Sequence, residues 1–165
     1  MSIVLIGMPS CGKSTIGVLL AKRLGYRFID SDLLIQEREG KLLHEIIEEK
    51  GIEGFLEIEN QVNASIKDER AVISTGGSAI YGVEAMENLA DIGLIVYIHI
   101  SFEDMEKRLG DYSHRGIVMP KGYTLRDMYN ERKVMYSKYA NVVVVSDGDI
   151  STTLDNIMKE IRPNG

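Results

Sequence analysis

The residues Gly7-Met8-Pro9-Ser10-Cys11-Gly12-Lys13-Ser14-Thr15 have the types and the spacing to hold phosphate. Gly7 and Gly12 omit a Cβ where backbone must close around an anion, so successive N–H groups can converge on phosphate oxygens. Lys13 is placed to reach the β- and γ-phosphates of a nucleotide, and the Ser14 hydroxyl to ligate Mg²⁺. An apolar run, Ile3–Ile6, precedes the loop, and Ile16, Leu19, Leu20, Ala21 and Leu24 follow at helical spacing. A strand, a loop and a helix in that order add the helix's unbonded N–H groups and the positive end of its dipole. Gly7, Pro9, Ser10, Cys11, Gly12, Lys13, Ser14 and Thr15 therefore form the expected ATP-binding set.

Three further stretches carry side chains fit for chemistry. Asp30-Ser31-Asp32 closes a short strand, Tyr26–Ile29. Ligands bind at such carboxyl ends in open α/β sheets, so one carboxylate can hold a Mg²⁺-bound water while the other orients a hydroxyl and takes its proton. The same triplet would also cap a helix over Leu33–Glu39, and spacing alone does not separate the two roles. Thr75-Gly76-Gly77-Ser78 follows the strand run Ala71–Ser74, and its glycine pair permits close approach of backbone to a ligand or simply makes a turn. Residues 110–123 lack periodicity and contain Arg115. A polar loop of that length is expected to act as a mobile lid that brings Arg115 to the γ-phosphate.

These stretches need a frame to bring them together. Five apolar strand runs alternate with helices and no hairpin signal separates them, which predicts a parallel sheet with helices on both faces. The nearly continuous apolar run Leu94–Ile100 suits a strand covered on both sides. Between the second and third strands two helices follow one another, broken at Gly51, with Phe55, Ile58, Val62 and Ile66 as the apolar stripe of the second. That pair, about residues 33–69, is expected to be a substrate-binding insertion. Glu53, Glu57 and Glu59 are expected on its solvated face. Thr124 caps a helix running to about Tyr139, and a last amphipathic helix covers about Thr152–Ile161.

At 165 residues, 44% hydrophobic and 27% charged, the chain suits one globular domain spanning 1–165. A net charge of −6 argues against a broad nucleic-acid surface. No run is long enough for a membrane span, no leader precedes the first strand, and the lone Cys11 fits a reducing compartment, so the expected location is cytoplasmic. Cys11 beside Lys13 and a helix start raises the idea of an acidic, oxidisable thiol; a small residue that simply fits the loop is the plainer account. His44, His99 and His114 lack metal-ligand spacing and are expected to be solvated or hydrogen-bonded.

Over essentially its whole length the chain resembles shikimate kinases, small members of the nucleoside-monophosphate-kinase branch of P-loop proteins. The resemblance rests on Gly7–Thr15, Asp30-Ser31-Asp32, Gly51 to Phe55 with Glu59, Thr75-Gly76-Gly77, Asn130-Glu131-Arg132, Tyr136 and the valine-rich last strand. It implies a three-layer P-loop α/β fold and an ATP- and Mg²⁺-dependent kinase acting on an alcohol of a small metabolite, shikimate first. It also implies Mg²⁺ support by Asp30 with Ser14, a base at Asp32, and charge stabilisation by Lys13 and the lid residue Arg115. Gly76 and Gly77 would present N–H groups to the acceptor, and Arg132 would clamp its carboxylate. The partners implied are the small hydroxylated substrate and ATP, with no nucleic acid or membrane, and a monomer. The chain departs from the family pattern at Phe55-Leu56, where Phe-Arg is usual, at Ser78 in place of a third glycine, and at His114-Arg115-Gly116. With the Leu56 position altered, the acceptor is open between shikimate and another hydroxy acid, hydroxy amino acid or polyol, one of whose amines could meet Glu59. A nucleotide-binding regulatory protein without transfer is the reading from another class.

Overall fold

The computed structural model describes residues 1–110 and 117–162. Five strands, β1 (Ser2–Gly7), β2 (Arg27–Asp30), β3 (Ala71–Ser74), β4 (Gly93–His99) and β5 (Val142–Val145), form one sheet in the order β2-β3-β1-β4-β5. Every pairing is parallel. The middle strand is β1, and all of its residues are buried, as coverage on both faces requires. The hydrophobic run expected to be central is β4, which lies between β1 and β5, one place nearer the edge.

Among the described residues seven α-helices accompany the sheet: α1 (Lys13–Leu24), α2 (Ser31–Glu39), α3 (Leu43–Ala64), α4 (Val83–Ile92), α5 (Phe102–Leu109), α6 (Leu125–Tyr139) and α7 (Ile150–Ile161). Helix α1 packs on β3 and α7, α4 packs on β4, and α6 packs on β1 and β4. The main core gathers Val4, Leu5, Leu20, Val72, Ile73, Val96 and Ile98 around the sheet, each fully buried. A second, smaller apolar cluster joins Ile35 of α2 to Ile46, Phe55, Ile58 and Val62 of α3, with Val118 closing it.

Gly51 is where α3 changes direction. Its φ of 74° and ψ of 176° are not helical, and they split α3 into the two expected halves. Asp30 ends β2 and caps α2, its side chain accepting from the Asp32 N–H at 3.0 Å. The helix therefore starts at Ser31, two residues before the expected start, and places Asp32 on its first turn. Helix α6 opens with Thr124 accepting from the Asp127 N–H, as expected.

The carboxyl ends of β1, β2 and β3 meet on one edge of the sheet. Thr75, just after β3, ties that edge together: its N–H donates to the Leu5 carbonyl at 3.2 Å. Its hydroxyl donates to the same oxygen at 2.8 Å. The phosphate loop, the Asp30–Asp32 pair and the glycine pair are thus held side by side.

Candidate active site

The loop from Gly7 to Gly12 has the backbone that its glycines predict. Gly12 is left-handed, with φ of 93°, and Ser10 is the non-glycine residue with positive φ, at 66°. A Cβ on Gly7 would lie 2.7 Å from the Ile98 carbonyl oxygen, so the loop can hug β4 only without one. No side chain caps α1, which leaves its first N–H groups for an anion. Lys13 is 7% exposed, and its ammonium reaches back across the loop. Nζ donates to the carbonyls of Gly7 and Met8, at 2.8 Å each. Cys11 is buried, with Sγ 3.6 Å from Lys13 Nζ. It packs in the core beneath the loop, 1% exposed.

A cavity of about 440 Å³ opens beside the loop. Pro9, Ser10, Gly12, Lys13, Ser14 and Thr15 of the loop region line it, together with Asp32, Glu59, Gly76, Gly77 and Arg132. Gly7 and Cys11 sit behind that surface rather than on it. Apolar walls come from Leu43, Phe55, Ile117 and Val118. Ile117 and Val118 belong to the expected lid segment, and its described end closes onto the cavity. Arg115, His114 and Gly116 lie outside the described residues.

At the metal end, the Ser14 hydroxyl donates to Asp30 Oδ2 at 3.1 Å. Asp30 therefore both caps α2 and faces the phosphate loop. Among the described residues no group of three or more His, Cys, Asp and Glu side chains could hold a metal. A hydroxyl and one carboxylate nevertheless fit Mg²⁺, which keeps several waters and takes its other oxygens from substrate phosphates. Asp32 stands next to this pair. Burial, and then the Asp30 charge, push its carboxyl up to about 6, while Lys13 pulls the other way.

The glycine pair is required by what surrounds it. A Cβ at Gly76 would lie 2.8 Å from Asp32 Oδ1 and 2.9 Å from Glu59 Oε2. A Cβ at Gly77 would lie 3.0 Å from Arg132 Nη1 and 3.0 Å from Pro9 Cδ. Tyr136, fully buried, donates to the Gly77 carbonyl at 2.6 Å and fixes that peptide. Burial pushes the Tyr136 hydroxyl far up, so it stays a donor. Arg132 is 2% exposed, and its Nη2 donates to the Val118 carbonyl, linking α6 to the described end of the lid segment.

The family model for shikimate kinase matches residues 9–162. The chain belongs to the shikimate kinase family. The shikimate kinase of Clostridium botulinum is 36% identical over 163 residues, covering 98% of both chains. That of Francisella tularensis subsp. novicida is 37% identical over 164 residues, covering 97% of this chain and 92% of its own. Among solved structures, shikimate kinase from Acinetobacter baumannii in complex with shikimate superimposes with a TM-score of 0.89 at 29% identity, covering 99% of this chain and 93% of its own.

Two positions of this shikimate kinase family member differ from the sequence-based expectations. Glu59 was expected on a solvated face, and Glu53 and Glu57 are indeed exposed, but Glu59 is 2% exposed. The Ser78 hydroxyl donates to its Oε1 at 2.7 Å, so the serine that replaces a third glycine is the group that holds the acid. Burial raises the Glu59 carboxyl to about 7; the Ser78 hydrogen bond opposes this, Asp32 adds to it, and Arg132 opposes it. The signal was present in the sequence: Glu59 lies four residues after Phe55 and three before Val62, inside the apolar stripe. Leu56 is half-buried and packs with the second apolar cluster, and it is absent from the cavity wall. Arg108 was not singled out from the sequence. At the end of α5 it donates to the Ser10 carbonyl at 3.4 Å, and its Nη2 would lie 2.6 Å from a Cβ at Gly148, so it spans the phosphate loop and the loop after β5.

Proposed function

We propose that the chain is an ATP-dependent, Mg²⁺-requiring kinase that phosphorylates a hydroxyl of shikimate, a step of aromatic amino acid biosynthesis. The observation that carries this reading is the shared cavity: the phosphate-loop lysine Lys13, the half-buried Asp32 and the buried Arg132 all line it. Gly12 and the start of α1 cradle the phosphates with backbone N–H groups. Lys13 exchanges the carbonyls of Gly7 and Met8 for phosphate oxygens and stabilises charge on the transferring group. Ser14 and Asp30 hold Mg²⁺, which when bound neutralises charge on the phosphates. Asp32 accepts the proton of the acceptor hydroxyl at its carboxylate, and at neutral pH most of it is ionised and ready. Arg132 binds the acceptor carboxylate, while Gly76 and Gly77 let the acceptor approach the backbone. Arg108 flanks the nucleotide on the side of the loop after β5. Arg115 joins Lys13 at the γ-phosphate when the lid closes.

Catalysis on this reading is positioning and electrostatics, because phosphoryl transfer leaves the protein little covalent work. The enzyme acts as a cytoplasmic monomer. Among the described residues no helix is long and apolar enough to cross a membrane. A coupled assay of ADP release tests the function: ADP is expected to form rapidly only with ATP, Mg²⁺ and shikimate all present. ADP release that is indifferent to shikimate would rule the acceptor out.

A further inference from the structure

Lys13 and Asp32 serve phosphoryl transfer, which leaves Glu59 and Arg132 as the charged cavity residues that meet the rest of the acceptor. Both are 2% exposed. Glu59 Oε1 is held by Ser78, whereas Oε2 is buried with no hydrogen-bond partner. A buried acceptor atom of a cavity-lining residue, left without a partner, calls for a donor from a ligand. Oε2 and Asp32 Oδ1 converge beside Gly76, 2.9 Å and 2.8 Å from the point a Cβ there would occupy, so the two acids stand together at the acceptor end. The Arg132 guanidinium approaches the Cβ position of residue 77 to 3.0 Å.

An acid and a guanidinium therefore stand beside successive residues of one turn. Charge balance points to a ligand that carries both signs. Among the described residues the acceptor end carries two carboxylates, Asp32 and Glu59, against the single guanidinium of Arg132. Leu56, turned into the second apolar cluster, adds no second cation there. An acceptor with only a carboxylate adds another negative charge, whereas one that also carries an ammonium offsets its own.

We propose that this cavity also takes small hydroxylated α-amino acids, with the ammonium on Glu59, the carboxylate on Arg132 and the reacting hydroxyl on Asp32. The inference rests on the kinase reading above and extends it to a second acceptor class. In the transfer, the acceptor oxygen forms a bond to the γ-phosphorus as the bond from that phosphorus to the β–γ bridging oxygen breaks. The hydroxyl proton passes to Asp32 and then to solvent, and ADP leaves with the broken bond's electron pair. The products are a phosphate monoester, ADP and a proton.

The test uses the full chain with ATP and Mg²⁺, and L-homoserine, γ-hydroxybutyrate and shikimate as probes. ADP release is followed together with phosphorus NMR of the product. L-homoserine and γ-hydroxybutyrate differ only in the ammonium. The expected result is a kcat/KM about tenfold or more in favour of L-homoserine, the range of one charge-assisted hydrogen bond. Glu59→Gln, which keeps the shape and removes the charge, is expected to bring that ratio close to one. Equal kcat/KM for the two probes in the unmodified enzyme overturns the proposal whether or not the variant folds. A preference that survives Glu59→Gln overturns the assignment to Glu59. Turnover of shikimate with none of L-homoserine overturns the proposal and leaves the kinase reading standing. ADP release that depends on none of the three acceptors overturns the kinase reading, and the proposal with it.

Discussion

Asp32 and Glu59 are two carboxylates drawn together by the fold, and both titrate above the ordinary carboxylate range for the same first reason, burial. Their functional consequences differ. On the proposed mechanism Asp32 acts as base only when ionised, so kcat/KM is expected to rise with pH through about 6 and then level off. A profile already flat from about pH 5 would contradict its role. Asp32→Asn should lower kcat by about a hundredfold to ten-thousandfold while calorimetry still shows ATP binding. Lys13→Ala should lower turnover by roughly a thousandfold or more, because it removes a charge fixed where charge develops. Glu59 writes its burial into stability. Between its ordinary value of 4.5 and about 7, the folded chain holds a proton that the unfolded chain has released. Stability from this group is therefore present on the acid side and is lost as pH rises through about 7, by about 3 kcal/mol in all. Glu59→Gln lacks this loss, so its Tm should gain on the parent between about pH 5 and pH 8. A Tm difference that stays constant over that interval would show that the group is solvated.

Among the elements, the turn after β3 and the bend in α3 set the acceptor end. Gly76→Ala would push a Cβ against Asp32 and Glu59, and it is expected to raise the acceptor KM while leaving ATP affinity unchanged. Gly51→Ala forces an L side chain into positive φ and should cost about 1–2 kcal/mol, read as a lower Tm. These elements also show how much the sequence made legible. The strand, glycine loop and helix at Gly7–Thr15 were readable because the signal is local, with the glycines and the flanking apolar runs contiguous in the chain. Gly51 was readable as a break because its neighbours repeat at helical spacing on both sides. Glu59 was misplaced because a charged side chain suggests solvent, and only its place in the Phe55–Val62 stripe marked it as buried. Its partner Ser78 comes from another element nineteen residues on, a distance no periodicity reports. Arg108 was missed for the same reason: its contacts, at Ser10 and Gly148, are long-range.

At the scale of the whole molecule, the strand order β2-β3-β1-β4-β5 brings together groups that are far apart in the chain. The ends of β1, β2 and β3 carry the loop, the acid pair and the glycine pair, and α6 returns from the far side of the chain to supply Arg132 to the same cavity and Tyr136 to the Gly77 carbonyl. On the proposed reading the acceptor meets α3, the turn after β3 and α6, whereas the phosphates meet the loop between β1 and α1. The most direct measurement is the rate of ADP release from ATP and Mg²⁺ with and without shikimate, run side by side for the parent enzyme and Asp32→Asn. The account predicts release that depends on shikimate in the parent and falls by at least about a hundredfold in the variant, with ATP still bound. Equal rates in the two proteins, or release unaffected by shikimate, would contradict it.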